Sequence, residues 1–211
     1  MVDVLTAAVL LLIAVRVGGV TRRFVTTRDL REHSIAIARG IRWRHLWPIP
    51  FVLAGVLALA TVLLWVPGLD WGWWSAIGGV GNPVTGATDR TAGTSLEWLI
   101  PLVFIVLLVP VLPLFAEAEE RRFRLGAERW SLRRRVGRGI VFGSAHALIG
   151  IPIGVALALS VGGWYFTWAY LRGARRGGPD AGVLESTRAH TAYNATIVLV
   201  LLVALATGGV A

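Results

Sequence analysis

Residues 139–171 read GIVFGSAHALIGIPIGVALALSVGGWYFTWAYL, one apolar stretch of 33 residues. At about 1.5 Å per residue, a straight helix of this length would measure about 50 Å. The hydrocarbon core of a bilayer is about 30 Å thick, so the stretch is too long for one crossing and too short for two full crossings. We therefore predict a hairpin of two helices, one of them short, with its bend near residues 150–152.

Further apolar stretches lie on both sides of this hairpin. Together with the two helices of the hairpin, these stretches give about six candidate membrane spans. The chain has 211 residues and a mean hydropathy of +0.68. This composition excludes a water-soluble domain and predicts an all-α, polytopic membrane bundle. The other spans are residues 4–20, 46–66, 96–116 and 190–210, and we expect kinks in the third at Pro101, Pro110 and Pro113.

The charged residues predict how these spans are oriented. All 21 basic side chains are arginines, and the formal net charge is +9. Apart from Arg16 and Arg90, the arginines lie in three intervals between the apolar stretches, where membrane topology explains them better than nucleic-acid binding does. An even number of crossings within residues 139–171 puts these intervals on one face, which the positive-inside rule makes cytoplasmic. We expect a multi-pass protein of the cell membrane with both termini outside, in contact with the lipid bilayer and not with nucleic acid.

The chain is predicted to form one structural domain with two parts. Residues 1–95 hold the first two spans and an external Gly- and Thr-rich loop at residues 78–94, and residues 96–211 hold a core with polar side chains. The absence of cysteine excludes disulfides, thiolate nucleophiles and cysteine-ligated zinc. An active centre would have to use Glu, Asp, His, Asn, Ser or Arg.

Polar side chains within or beside the apolar stretches are few, and each costs a few kcal/mol there unless it has a partner or a task. Glu120 and Arg124 are four residues apart and would form an ion pair on a helix. Glu119 would be turned about 100° away from Glu120, toward another helix. The sequence therefore predicts a free carboxylate beside a structural ion pair.

The same four-residue spacing occurs in two more places. His190 and Asn194 would project from one face of the last span, and His146 would follow Phe142 by one helical turn. Small residues around Phe142 permit close packing against another helix. Three helices would thus bring a carboxylate, two imidazoles and an amide together.

These residues form three motifs, in the order Glu119-Glu120-x-x-x-Arg124, Phe142-x-x-x-His146 and His190-x-x-x-Asn194. Their order and spacing resemble the type II CAAX prenyl endopeptidase and bacteriocin-processing family of intramembrane proteases, also called the CPBP or Abi family. The resemblance covers residues 96–205. It implies an endopeptidase that hydrolyses a bond in a peptide or membrane-protein substrate, within a cavity open to the cytoplasmic side.

The resemblance also implies a role for each motif residue. Glu119 and His146 would activate a water molecule, and His190 and Asn194 would donate hydrogen bonds to the oxyanion of the tetrahedral intermediate. The ion pair and Phe142 would support them.

A metal remains an alternative to this mechanism. Glu119, His146 and His190 would make a His₂Glu zinc site with one open position. Asn194 favours the metal-free mechanism, because an amide is a poor zinc ligand and a good oxyanion donor.

Two other functions are compatible with the same residues. The first is a non-catalytic immunity or scaffold protein, in which the polar groups only hold helices together. The second is a small transporter that uses the buried acid and histidines as a proton relay.

Outside the motifs, we expect Glu117 to be a carboxylate at the end of a helix, and His33 and His45 to be solvated. We expect Arg133, Arg134 and Arg135 to bind anionic lipid headgroups.

Overall fold

The computed structural model describes residues 2–73 and 93–207, and within these ranges it contains helices and no β-strand. The all-α class is therefore confirmed. Most of the predicted external loop, residues 78–94, lies outside the described residues. In chain order the helices are α1 (Val2–Thr26), α2 (Arg28–Arg39), α3 (Trp43–Leu46), α4 (Ile49–Leu64), α5 (Leu96–Leu108), α6 (Leu112–Arg124), α7 (Leu132–Ala145), α8 (Ile153–Ala158) and α9 (Ser160–Ala206).

The bend predicted at residues 150–152 is present. Helix α7 ends in a 3₁₀ turn, His146–Ile149, which is followed by Gly150 at a φ of 91°. That left-handed backbone favours glycine, and Pro152 then caps α8. The chain runs back along α7, so that α7, α8 and the first part of α9 form an antiparallel hairpin.

Helix α9 reverses direction in its middle. Gly177 and Gly178 have non-helical backbone angles, and Gly178 has a φ of 80°. The arms 160–176 and 179–206 therefore pack against each other, and a Cβ added at Gly173 would lie 2.5 Å from the carbonyl oxygen of Ala181. The interval 172–189, predicted as a connection between two spans, is thus helical except at the two glycines. Within this interval, Arg172 on the first arm pairs with Glu185 on the second.

The prolines of the third span have different effects. Helix α5 continues through Pro101. Pro110 lies in the 3₁₀ turn Val109–Val111 that separates α5 from α6, and Pro113 lies in the first turn of α6, where its missing N–H costs nothing.

In the described part of the chain, three apolar segments are long enough to cross a membrane. They are Trp43–Leu64, Leu96–Arg129 and Ile153–Ala204. The third contains the reversal of α9. The count of six spans is not confirmed. Helix α7 has only 14 residues, about 21 Å of helix, and its first half is rich in arginine.

The largest buried cluster lies where α4, α6, α7 and both arms of α9 meet. It is mostly aromatic, and its rings contact three polar residues of the motifs, Arg124, His146 and His190. Its buried members are Ile49, Phe123, Phe142, Tyr165, Phe166, Ala169, Ala189, Ala192 and Tyr193.

Two glycines of α7 provide a test of this packing. A Cβ at Gly143 would lie 2.6 Å from the backbone oxygen of Ala156, whereas a Cβ at Gly137 would meet no atom within 4 Å. Because overpacking forces backbone shifts, we expect Gly143→Ala to lower the free energy of unfolding by about 1–3 kcal/mol. Gly137→Ala should raise it by about 0.5–1 kcal/mol, since alanine favours a helix. Unfolding in mixed detergent micelles measures both, and equal effects would contradict the packing of α7 against α8.

Candidate functional site

The Glu120–Arg124 ion pair lies on α6 and is buried. Arg124 Nη1 donates to Glu120 Oε1 at 2.8 Å, and both side chains are at most 1% exposed. Arg124 Nη2 also donates to the carbonyl oxygen of Gly163, at 3.3 Å. The pair therefore joins α6 to the first arm of α9.

Aromatic rings surround this pair. The Arg124 guanidinium lies over the Phe142 ring, 4.1 Å from its centroid, and is 5.4 Å and 5.9 Å from the centroids of Phe166 and Phe123. The face of an aromatic ring attracts a cation, and the attraction is stronger away from water. These rings and Glu120 together compensate the burial of the arginine charge.

His190 connects the ion pair to Glu119. Its Nδ1 lies 2.9 Å from Glu120 Oε1, and because an ionised carboxylate only accepts, Nδ1 donates. The other ring nitrogen, Nε2, lies 3.8 Å from Glu119 Oε2. A carboxylate on one nitrogen fixes the orientation of the ring and leaves the other nitrogen for chemistry.

The Glu119 carboxylate has one buried and one accessible side. The side chain is 40% exposed, yet Oε2 is turned inward and has no hydrogen-bond partner in the described part of the chain. The separation of 3.8 Å from His190 Nε2 exceeds a direct hydrogen bond. The two atoms therefore face each other without a direct hydrogen bond.

His146 lies beside the same aromatic ring as His190. The centroid of Phe142 is 5.0 Å from that of His146 and 5.6 Å from that of His190. The Nδ1 of His146 lies 2.9 Å from the Phe142 carbonyl oxygen, so Nδ1 donates and Nε2 is left as an acceptor in the neutral ring.

The resemblance implies that Glu119 and His146 act together on one water molecule. Among the described residues, no hydrogen bond or ion pair joins them, and the partner of Glu119 is His190. The reason is local: the 3₁₀ turn at the end of α7 bonds the His146 ring to the carbonyl one turn earlier.

Asn194 lies one turn after His190 on the second arm of α9 and is half-buried. Its amide makes no hydrogen bond within the described residues, so both of its N–H groups are free to donate to a ligand.

The residues do not fit the zinc site that the sequence left open. No three His, Asp or Glu side chains lie close enough to hold a metal ion in the described ranges. The Nε2 atoms of His190 and His146 would both be available to a metal, but the described residues do not bring Glu119, His146 and His190 close enough together to share one.

A second buried carboxylate was missed by sequence reasoning. Glu185, on the second arm of α9, accepts two hydrogen bonds from Arg44, at 2.9 and 3.0 Å, and one from Arg172 at 2.5 Å. His45 was predicted to be solvated, but it is fully buried, and its Nε2 lies 3.2 Å from Glu185 Oε1 without hydrogen-bond geometry. The prediction for His45 is wrong because a buried carboxylate draws this basic segment into the bundle.

Two other surface predictions concern His33 and the arginines of α7. His33 is exposed, as predicted, and its Nε2 also lies 2.5 Å from Glu117 Oε2. Arg135 donates to the carbonyl oxygens of Ala127 and Glu128, at 2.9 and 3.2 Å, and so closes the turn between α6 and α7. Of the three arginines expected to bind lipid headgroups, this one is already engaged.

The fold and site define an all-helical protein with a carboxylate–histidine–carboxylate centre among aromatic rings. Comparisons with protein-family models, with curated proteins and with solved structures find no match for this chain.

Proposed function

We propose that the protein is an intramembrane endopeptidase and that Glu119 and His190 together hold the water that attacks the peptide bond. One observation carries this proposal: Glu119 Oε2 and His190 Nε2 face each other across 3.8 Å, while Glu120 holds the opposite side of the imidazole. Two acceptors on one water orient both of its protons and leave a lone pair for the substrate carbonyl.

The reaction needs few groups. Water attacks the carbonyl carbon, Glu119 takes a proton from it, and the oxygen of the carbonyl becomes an oxyanion. The free amide of Asn194 donates to that oxyanion, a contribution that in other hydrolases is worth about 10²–10³ in kcat per donor. Glu119 then gives the proton to the leaving amine as the C–N bond breaks.

His146 has a supporting part in this mechanism. Its Nε2 is an acceptor on the half-buried end of α7, next to the ring that also contacts His190. Nε2 would bind the substrate or a second water. This differs from the division of roles that the family resemblance implies.

The membrane topology is part of the proposal. The apolar stretches would give about six spans, with the arginine-rich intervals in the cytoplasm and both termini outside. Glu119, 40% exposed, would open toward the cytoplasmic side together with the neighbouring arginines of α6.

Peptides released from membranes test this function. We expect cells with the wild-type chain to yield membrane-fraction peptides that are missing from cells with His190→Gln, and we expect a chelator to leave them unchanged. Identical peptides in both strains would contradict an endopeptidase.

Other outcomes would indicate a different function. If the biological effect of the protein also survives in the variant, an immunity or scaffold function explains it. Proton flux in proteoliposomes without cleavage would indicate a transporter. Loss of cleavage with the chelator would restore the zinc mechanism.

A further inference from the structure

Phe166 belongs to none of the three motifs, yet its ring stacks directly on His190. The two ring centroids are 4.3 Å apart and the planes differ by 19°. Phe166 lies on the first arm of α9 and is 1% exposed, and His190 lies opposite on the second arm. The reversal at residues 177–178 is what brings the two rings together.

The stacked ring limits a motion that the Glu120 hydrogen bond allows. The last torsion of a histidine side chain has a broad energy profile, so a bond to Nδ1 alone lets the ring tilt about that bond. A parallel aromatic face removes this tilt, because stacked rings lose contact when one of them turns. With its edge held by Glu120 and its face by Phe166, the imidazole keeps Nε2 directed at Glu119.

Phe166 is itself held in place. Its ring makes edge contacts with Phe142 and Tyr193, at centroid distances of 5.9 and 5.5 Å, and is tilted against the ring of Tyr165 at 5.4 Å. The guanidinium of Arg124 lies 5.4 Å from its centroid. A side chain fixed by this many neighbours is a rigid support for the imidazole.

We propose that Phe166 is a positioning residue for His190: its ring fixes the imidazole plane so that Nε2 faces Glu119. The kinetic consequence rests on the proposed function, but the geometry of the His190 ring does not. A kinetic measurement and an NMR measurement therefore test the endopeptidase function and the role of Phe166 separately.

The first readout is kinetic. Phe166→Leu removes the aromatic face, and we expect kcat to fall about 10- to 100-fold with KM within about twofold, because a misplaced group slows chemistry more than binding. Phe166→Tyr keeps the face and should recover most of kcat. The control is Val183→Ala, a buried site in a different cluster, which should lose stability and keep kcat.

The second readout is ¹⁵N NMR of histidine-labelled full-length chain in nanodiscs. The chain has four histidines, and the His190 signals are identified by their loss in His190→Gln. We expect wild type and Phe166→Tyr to show one hydrogen-bonded Nδ1–H form, and Phe166→Leu to show shifted or exchange-broadened signals. Phe166→Met replaces the leucine variant if that does not fold.

The outcomes are distinct. Altered His190 signals in Phe166→Leu support the positioning role even if the wild-type chain cleaves nothing, in which case only the proposed function fails. Unchanged His190 signals together with an unchanged kcat in Phe166→Leu would overturn the role of Phe166.

Discussion

Glu119→Gln is expected to lower kcat by about 10²–10⁴-fold, the usual contribution of a general base. Glutamine keeps the size of the side chain but cannot take a proton from water. The fold should be unaffected, because Glu119 is 40% exposed and its carboxylate lies 3.8 Å from His190 Nε2, beyond a direct hydrogen bond. Cleavage of a peptide found in the membrane-fraction comparison, by purified protein in nanodiscs, measures the effect.

Glu117→Gln is the matched control for this change. Glu117 lies on the same helix and loses the same charge, but it pairs with Arg121 and His33, outside the site. We expect it to keep kcat within about twofold. Equal losses in the two variants would mean that the charge of α6 matters in general, and full activity in Glu119→Gln would remove Glu119 from the chemistry.

Arg124→Met is expected to lower the free energy of unfolding by about 3–5 kcal/mol, the cost of leaving a buried charge without its partner. Glu120 would remain fully buried without its arginine and would keep the hydrogen bond from His190 Nδ1. Unfolding in mixed detergent micelles, monitored by tryptophan fluorescence, measures the change. Activity should fall as well, because Glu120 orients the imidazole.

Two variants make this result specific. Arg121→Met breaks a half-exposed pair on the same helix, and such pairs contribute no more than about 1 kcal/mol. The double variant Glu120→Met with Arg124→Met replaces both charges among aromatic rings and should recover much of the lost stability without recovering activity. A stability for Arg124→Met equal to that of wild type would show that the ion pair does not hold α6 against α9.

Local rules predicted a large part of this structure. The bend at residues 150–152 follows from the length of the apolar stretch and from a glycine and a proline at its middle. The Glu120–Arg124 pair follows from a spacing of four residues on one helix. In both cases the interacting residues are close in sequence, so the geometry of a single helix or turn is enough.

The contacts between distant segments could not be predicted in this way. Which imidazole faces Glu119 depends on how the second arm of α9 sits against α6, and Phe166 meets His190 only because the chain reverses at Gly177 and Gly178. The Gly-Gly-Pro sequence at residues 177–179 was an available signal for that reversal. Nothing local to His45 shows that it lies beside Glu185.

Incorporation of ¹⁸O tests the central claim most directly. Purified wild-type chain in nanodiscs is incubated with a solubilised membrane fraction in H₂¹⁸O, and mass spectrometry searches for new C-termini that carry the label. If Glu119 and His190 activate water against a peptide bond, wild type and Glu117→Gln will produce ¹⁸O-labelled C-termini, and Glu119→Gln and His190→Gln will not. Labelled termini at equal yield in all four proteins, or in none, would contradict the account.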